Sequence, residues 1–379
     1  MQRFLLAFAL SLGLVASASA QNSNSSIAQT GDENDAIVTQ NDASTAIISQ
    51  DEIGLTPADP GNIVRLIQDD SEARVTQSGN SNAAQLDQED GASARITQTG
   101  AYNWVVDDID GIGTIRPGPG NFFDQRDGSS LVADQNGISN TVDGSQRGRD
   151  QVANVFQDGH FNTATLDQRS RTRSTARIDQ IGSSVPPVDP SGVAIADRQR
   201  AEVKQDGRGG HLATISQTSG PSTLSPPDQG SNLAVIDQDG RDQTARISQV
   251  GSDHMATVRQ SDRDNRATVT QTEADQEALV RQTGRDNLVT ITQGNTVPLT
   301  QVDDPNNLVD VLQSGDDNIG RITQDGISLE ADLRQSGDDN RSRITQTGDN
   351  HEAMVTQSSD GNVSTVTQIG SGHSATVIQ

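Results

Sequence analysis

The chain has 379 residues, of which only 31% are hydrophobic and 2% aromatic. Large apolar side chains carry most of the burial energy of a globular core, so that composition excludes a conventional thick core. The balance of 52 acidic against 27 basic residues, net charge −25, speaks against nucleic acid and anionic membranes as partners, and the absence of cysteine removes disulfides and thiolate chemistry.

Residues 1–20 read as a signal peptide. Arg3 supplies the positive region, Phe4 to Val15 the apolar stretch, and Ala18-Ser19-Ala20 the small-residue cleavage pattern. The mature chain then starts at Gln21. No other segment approaches the ~18 apolar residues of a membrane span, so no transmembrane segment is expected.

Low hydrophobicity with high charge would by itself suggest disorder, but a strict period overrides it. Gln29 and Gln40 stand 11 residues apart, as do Gln77 and Gln88, and the series Gln135, Gln146, Gln157, Gln168. The step continues through Gln238, Gln249, Gln260, Gln271, Gln282 and Gln293, then through Gln313, Gln324, Gln335, Gln346, Gln357, Gln368 and Gln379. Two positions before the Gln stands Val, Ile or Leu, a neighbour shared by 26 glutamines between Gln29 and Gln379. Four positions before is usually Ala, as at Ala245, Ala256 and Ala267; six before is Asn, as at Asn265, Asn287, Asn318, Asn340 and Asn362; two after is often Gly. His211, His254, His351 and His373 occupy the Asn position and read as its substitutes.

A spacing of two is strand periodicity, and it puts Asn, Ala, the aliphatic residue and Gln on one face. The spacers carry Gly, Asp and Asn, which suit turns with left-handed residues. One such strand cannot bury its inward face alone, and stacking copies solves this. The expected fold is an all-β solenoid of about 22-residue coils, each with two strand–turn units, forming two facing parallel sheets. Gln249, Gln271 and Gln293 line one sheet and Gln260 and Gln282 the other. About 13 coils give a length on the order of 60 Å. Buried amides are tolerated if each donates to the next and accepts from the previous one, as in Asn and Gln ladders. The structural ladder set is Gln249, Gln260, Gln271, Gln282, Gln293, Gln313, Gln324, Gln335, Gln346, Gln357, Gln368 and Gln379 with Asn265, Asn287, Asn318, Asn340 and Asn362.

The period breaks at 51–62, 101–120, 183–198 and 219–231, where much of the Pro lies; these read as loops protruding from one edge. Residues 121–150 keep a degraded register through Gln125, Gln135 and Gln146, so the solenoid is expected to continue there. Tyr102, Trp104, Phe122 and Phe123 lie in or next to an interruption and read as cover for a weak stretch of solenoid.

The unit resembles the curlin repeat of curli fibre subunits, which reads Ser-x5-Gln-x-Gly-x-Gly-Asn-x-Ala-x3-Gln. Gln335, Gly337, Asn340, Ser342 and Gln346 follow that spacing, as do Gln357, Gly361, Asn362 and Gln368, while Ser44, Ser71 and Ser174 hold the Ser position. The second Gly is mostly replaced by Asp, Ser or another residue, the repeats are several times the usual number, and Gln21-Asn22-Ser23-Asn24 lacks a Gly-rich secretion segment. The resemblance implies a secreted structural subunit of functional amyloid fibres serving biofilm matrix and surface adhesion. It also implies export through the periplasm of a Gram-negative bacterium and an extracellular, cell-surface location. The implied partners are other copies, other curlin-like subunits and an outer-membrane secretion apparatus.

Uncapped repeats at both ends of the mature sequence point the same way, since an uncovered edge strand templates another chain. The rival reading is a secreted, non-polymerising solenoid that binds a surface, sugar or ice, or acts through calcium. Outward Thr268 with Thr270 hints at a flat face, but Arg259, Arg281, Arg321 and Arg343 interrupt it. Acidic turns such as Gly337-Asp338-Asp339-Asn340 offer hard oxygen ligands for calcium; solvated turn residues are the simpler reading. No catalytic constellation, metal site or cofactor site stands out, and no enzyme is expected.

Overall fold

The computed structural model describes residues 23–31, 33–52, 61–106, 123–182, 199–219, 231–295 and 307–379. The signal peptide and most of the expected loop insertions lie outside these residues. No helix among them is long and apolar enough to cross a membrane.

The described residues form two parallel sheets of 14 and 15 strands. The first runs from Asn24–Thr30 to Val363–Ser371 and the second from Asp35–Asn41 to Ser374–Ile378. Each sheet takes every second strand of the chain, so one coil contributes one rung to each sheet. Fourteen such coils at about 4.8 Å each give a rod on the order of 65 Å long. Register is strict: Ala245, Ile247 and Gln249 lie beside Ala267, Val269 and Gln271. A one-residue slip would turn every buried side chain outward, so the alternation itself fixes the pairing.

The core is a double file of small and branched residues. Ala234, Ala245, Ala256 and Ala267 are fully buried, as are Ile236, Val258 and Val269. Its thinness explains how so few large hydrophobes suffice: Ala and Val let the two sheets approach, and the amides fill the rest.

The turns follow from residues that accept left-handed backbone. Asp242, Asp264, Asp286, Asp317 and Asp339 have φ between 54° and 59°, a region where Asp and Asn cost little. Where Gly stands two residues after the Gln, it is needed for closeness as well as φ. A Cβ on Gly348 (φ 114°) would stand 1.9 Å from the carbonyl oxygen of Gly370.

Turns from the first sheet to the second form one edge of the rod, the forward edge; turns back form the return edge. Residues 53–60, 183–198, 220–230 and 296–306 each lie between a first-sheet strand and the following second-sheet strand, at the forward edge. The last of these is not among the expected interruptions, although the glutamine step lengthens from 11 to 20 between Gln293 and Gln313 and Gln282 pairs with Gln313 across 31 residues instead of 22. The return-edge turns are all described and short.

One interruption differs from the spacing-based expectation. Within the span 101–120, Ala101 ends a strand and Trp104–Val106 form another; the rung resumes at Phe123–Gln125. Both pieces pair with the strand Ala83–Gln88. The rung is therefore split around residues 107–122, so the interruption begins after Val106 and not at 101. The solenoid continues through Ser130–Ile138 and Thr141–Gln146. Phe123 is fully buried at the aliphatic position, and the next rungs carry Ala133 and Gly144 there. Small neighbours on either sheet make room for the aromatic ring, since cores tolerate shape changes that conserve volume.

Candidate functional site: the internal amide ladders

Fourteen glutamines of the first sheet, from Gln29 to Gln368, form one unbroken hydrogen-bonded column. Along it, Gln249 Nε2 donates to Gln271 Oε1 at 2.9 Å, Gln271 to Gln293 and Gln293 to Gln324 at 3.0 Å, and Gln324 to Gln346 and Gln346 to Gln368 at 2.9 Å. The second sheet has a matching column in which Gln260 donates to Gln282 (2.8 Å), Gln282 to Gln313 (2.9 Å), Gln313 to Gln335 (2.7 Å), Gln335 to Gln357 (2.8 Å) and Gln357 to Gln379 (2.9 Å). Every bond runs in the same direction, Nε2 to the next Oε1.

A carboxamide nitrogen has a second hydrogen, and it crosses to the facing sheet. Gln249 Nε2 reaches the carbonyl of Leu233 at 3.0 Å, and Gln260 Nε2 that of Thr244 at 3.2 Å. Each glutamine therefore ties coil to coil and sheet to sheet. The sequence pattern gives the first bond; the second depends on how far apart the sheets sit, which periodicity does not encode.

The asparagines form a different device. Asn265, Asn287, Asn318, Asn340 and Asn362 stack in one column at the return edge, but their bonds are not side chain to side chain. Asn265 Oδ1 accepts the backbone N–H of Asn287 at 3.1 Å, and the pattern repeats from Asn287 to Asn318 (3.0 Å), Asn318 to Asn340 (3.1 Å) and Asn340 to Asn362 (2.9 Å). Asn265 Nδ2 turns back to the carbonyls of Ser261 (2.6 Å) and Gly284 (2.8 Å). The shorter side chain sits against the turn, so it satisfies turn backbone groups before it can reach another amide. A second asparagine column stands at the forward edge, and in its first coils Nδ2 also finds a neighbouring amide, as from Asn82 to Asn62 Oδ1 at 3.0 Å.

Substitutes in these columns are less well satisfied. Gln151, Gln199, Gln243 and Gln276 stand where Asn is usual, and each leaves a buried Oε1 without a partner. One extra methylene carries the oxygen past the N–H of the next coil. At His351 the imidazole imitates Asn: Nδ1 accepts the backbone N–H of His373 at 3.2 Å, and Nε2 meets the carbonyl of Thr347 at 3.1 Å.

Comparison with known families bears on this arrangement. The curlin-associated repeat matches residues 231–261, 263–294, 328–358 and 352–379. The C-terminal part of the chain therefore carries curlin-associated repeats. A search of curated proteins gave no match. The earlier coils keep the glutamine columns and, at the forward edge, Asn62, Asn82, Asn103, Asn140 and Asn162, but place Ser44, Ser71, Ala92 and Ser129 at the return-edge position.

The acidic turns of the curlin repeats cap backbone in the preceding coil. Asp316 Oδ1 accepts the N–H of Arg285 at 2.9 Å, Asp338 Oδ1 that of Asp316 at 2.8 Å, and Asp360 Oδ1 that of Asp338 at 2.9 Å. Desolvation, then repulsion from Asp286, Asp339, Asp316 and Asp338, raises the Asp317 pKa above the ordinary carboxylate value. Among the described residues no group of carboxylates and imidazoles is arranged to hold a metal ion.

Proposed function

We propose that this chain is a secreted structural subunit of curli-type fibres, and that it assembles end to end at the cell surface as part of a biofilm matrix. The observation that carries the reading is the polarity of the two glutamine columns. Every Nε2 donates toward the later coil, so the rung at Gln29 and Gln40 offers Oε1 acceptors and the rung at Gln379 offers a donor. Both columns run through fourteen coils and finish at the same level. The last rungs hold the inward set of the interior, with Val366, Gln368, Ala375 and Val377 facing as Ile344, Gln346, Ala353 and Val355 do. Copies joined head to tail would continue both sheets without a change of register, and exposed strand edges favour such joining.

The curlin repeat supports self-association. Export through a periplasm, other curlin-like subunits and an outer-membrane secretion apparatus belong to the same reading. Electron microscopy of residues 21–379 over time tests it: fibres that bind amyloid dyes and diffract near ~4.7 Å along their axis are expected, and a chain that stays monomeric and dispersed overturns it.

A further inference from the structure

The return edge carries charge in blocks. Early turns are acidic, with Asp42, Asp69, Asp70, Glu89 and Asp90. Two consecutive turns near the middle are basic: 147–150 holds Arg147 and Arg149, and 169–173 holds Arg169, Arg171 and Arg173, all exposed. Arg147 pairs with Asp124 and Arg169 with Asp167, but Arg149, Arg171 and Arg173 form no ion pair among the described residues. Further along, three successive turns hold Asp316, Asp317, Asp338, Asp339 and Asp360 and no basic residue.

We infer that the return edge is a docking surface for a second copy of this chain, laid antiparallel so that the arginine turns of each copy face the aspartate turns of the other. Three observations favour this occupant. Both blocks repeat at the same pitch of about 4.8 Å, so a partner with that pitch keeps opposite charges in step over many coils. The two-fold axis of such a pair falls at the turn Asp262-Arg263-Asp264, which carries both signs and can face itself. The turns of the return edge are all described and short. A two-fold contact uses the same patch twice and closes as a dimer. An unrelated polyanion would satisfy the arginines alone and would be repelled by the aspartate turns on the same edge. Apart from these blocks, a net charge of −25 drives copies apart, so pairing depends on register as well as on charge.

Sedimentation velocity on the soluble chain before fibres appear tests the contact. A dimer is expected at about 0.02 M salt, weakened at least tenfold by about 0.5 M, where the screening length is only a few ångströms. The triple variant Arg149→Glu, Arg171→Glu, Arg173→Glu and the double variant Asp317→Lys, Asp339→Lys should each be monomeric, with unchanged β-sheet circular dichroism. A wild-type chain that stays monomeric at low salt, or a dimer that survives both sets of substitutions, overturns the inference. So does wild-type binding to heparin without self-pairing. Fibre growth is read separately by electron microscopy, so failure of lateral pairing and failure of end-to-end assembly give different results.

Discussion

The backbone N–H of His254 donates to Oδ1 of Asn232 at 3.1 Å, which seats a fully buried imidazole in a column begun by asparagines. Its Nε2 lies 3.2 Å from the carbonyl of Val250, while Nδ1 has no partner. Burial, partly offset by the Val250 carbonyl, pushes the pKa of His254 down to about 4, and burial lowers that of His211 as well. The folded chain thus keeps His254 neutral where the unfolded chain protonates it near pH ~6.5. Stability from this site is complete above that pH and is lost as pH falls toward about 4, on the order of 3 kcal/mol. Asp317, whose pKa is raised, pulls the other way, because folding favours its protonated form. His254→Asn isolates the imidazole. Urea midpoints at pH 7 and pH 4 should show the variant gaining on wild type as the solution is acidified, and an equal difference at both pH values would contradict the assignment.

Gln243 presents the reverse problem. Its Nε2 caps the carbonyl of Asp239 at 2.8 Å, but its buried Oε1 is orphaned. The column continues with Asn265, whose own Oδ1 does accept the N–H of the next coil. Gln243→Asn shortens the side chain by one methylene and places an acceptor at the N–H of Asn265. Satisfying that pair is worth about 1 kcal/mol, so the variant should unfold at higher denaturant concentration with an unchanged slope. Asn287→Gln should do the opposite.

Much of this architecture can be read from residue spacing, and the unread parts share a cause. A period of two nested in a period of 11 identifies inward positions wherever the step is kept, so the columns from Gln238 to Gln293 and from Gln313 to Gln379 are legible. Gln125, Gln135 and Gln146 also belong to the columns, although Phe123, Ala133 and Gly144 replace the aliphatic residue before them. There, packing substitutes one large side chain for small ones across strands, a trade visible only in space. The interruption at 101–120 was legible from its Pro and the broken step, but not that Trp104–Val106 inside it still forms part of a rung. The turn columns were legible as positions but not as bonds. Asn82 Nδ2 reaches an amide whereas Asn265 Nδ2 meets turn carbonyls, a choice set by the local turn and not by residue type.

The glycine column sets a steric limit that a single methyl group should expose. A Cβ on Gly348 would meet the Gly370 carbonyl oxygen at 1.9 Å, whereas a Cβ on Gly361 meets nothing within 4 Å. Both have positive φ, 114° and 70°, so both alanine variants carry backbone strain of about 1–2 kcal/mol. Gly348→Ala adds a clash with the backbone of the next coil, which neither sheet can relieve without breaking register. Thermal or urea unfolding should therefore show Gly348→Ala clearly less stable than Gly361→Ala. Equal losses would mean that the coils are spaced more loosely than the ladder bonds require.

Gln271 tests whether the amide matters for its polarity or only for its volume. Its Oε1 accepts from Gln249, and its Nε2 donates to Gln293 at 3.0 Å, to the Met255 carbonyl at 3.0 Å and to the Gln276 carbonyl at 2.9 Å. In Gln271→Leu the chain loses these bonds and strands the Gln249 donor and the Gln293 acceptor, at about 1–3 kcal/mol for each buried group. Gln271→Glu keeps the volume and can still accept from Gln249. Its other oxygen, however, would face the Gln293 oxygen and two carbonyls with no hydrogen to share, and burying an unpaired carboxylate costs more than burying an apolar isostere. The expected order of stability at pH 7 is wild type, then Gln271→Leu, then Gln271→Glu. Lowering the pH should narrow the gap between the two variants, because a protonated Glu regains one donor. If Gln271→Glu proved as stable as wild type at pH 7, the columns would not be carrying directional hydrogen bonds, and the polarity that lets one copy continue into the next would have no chemical basis.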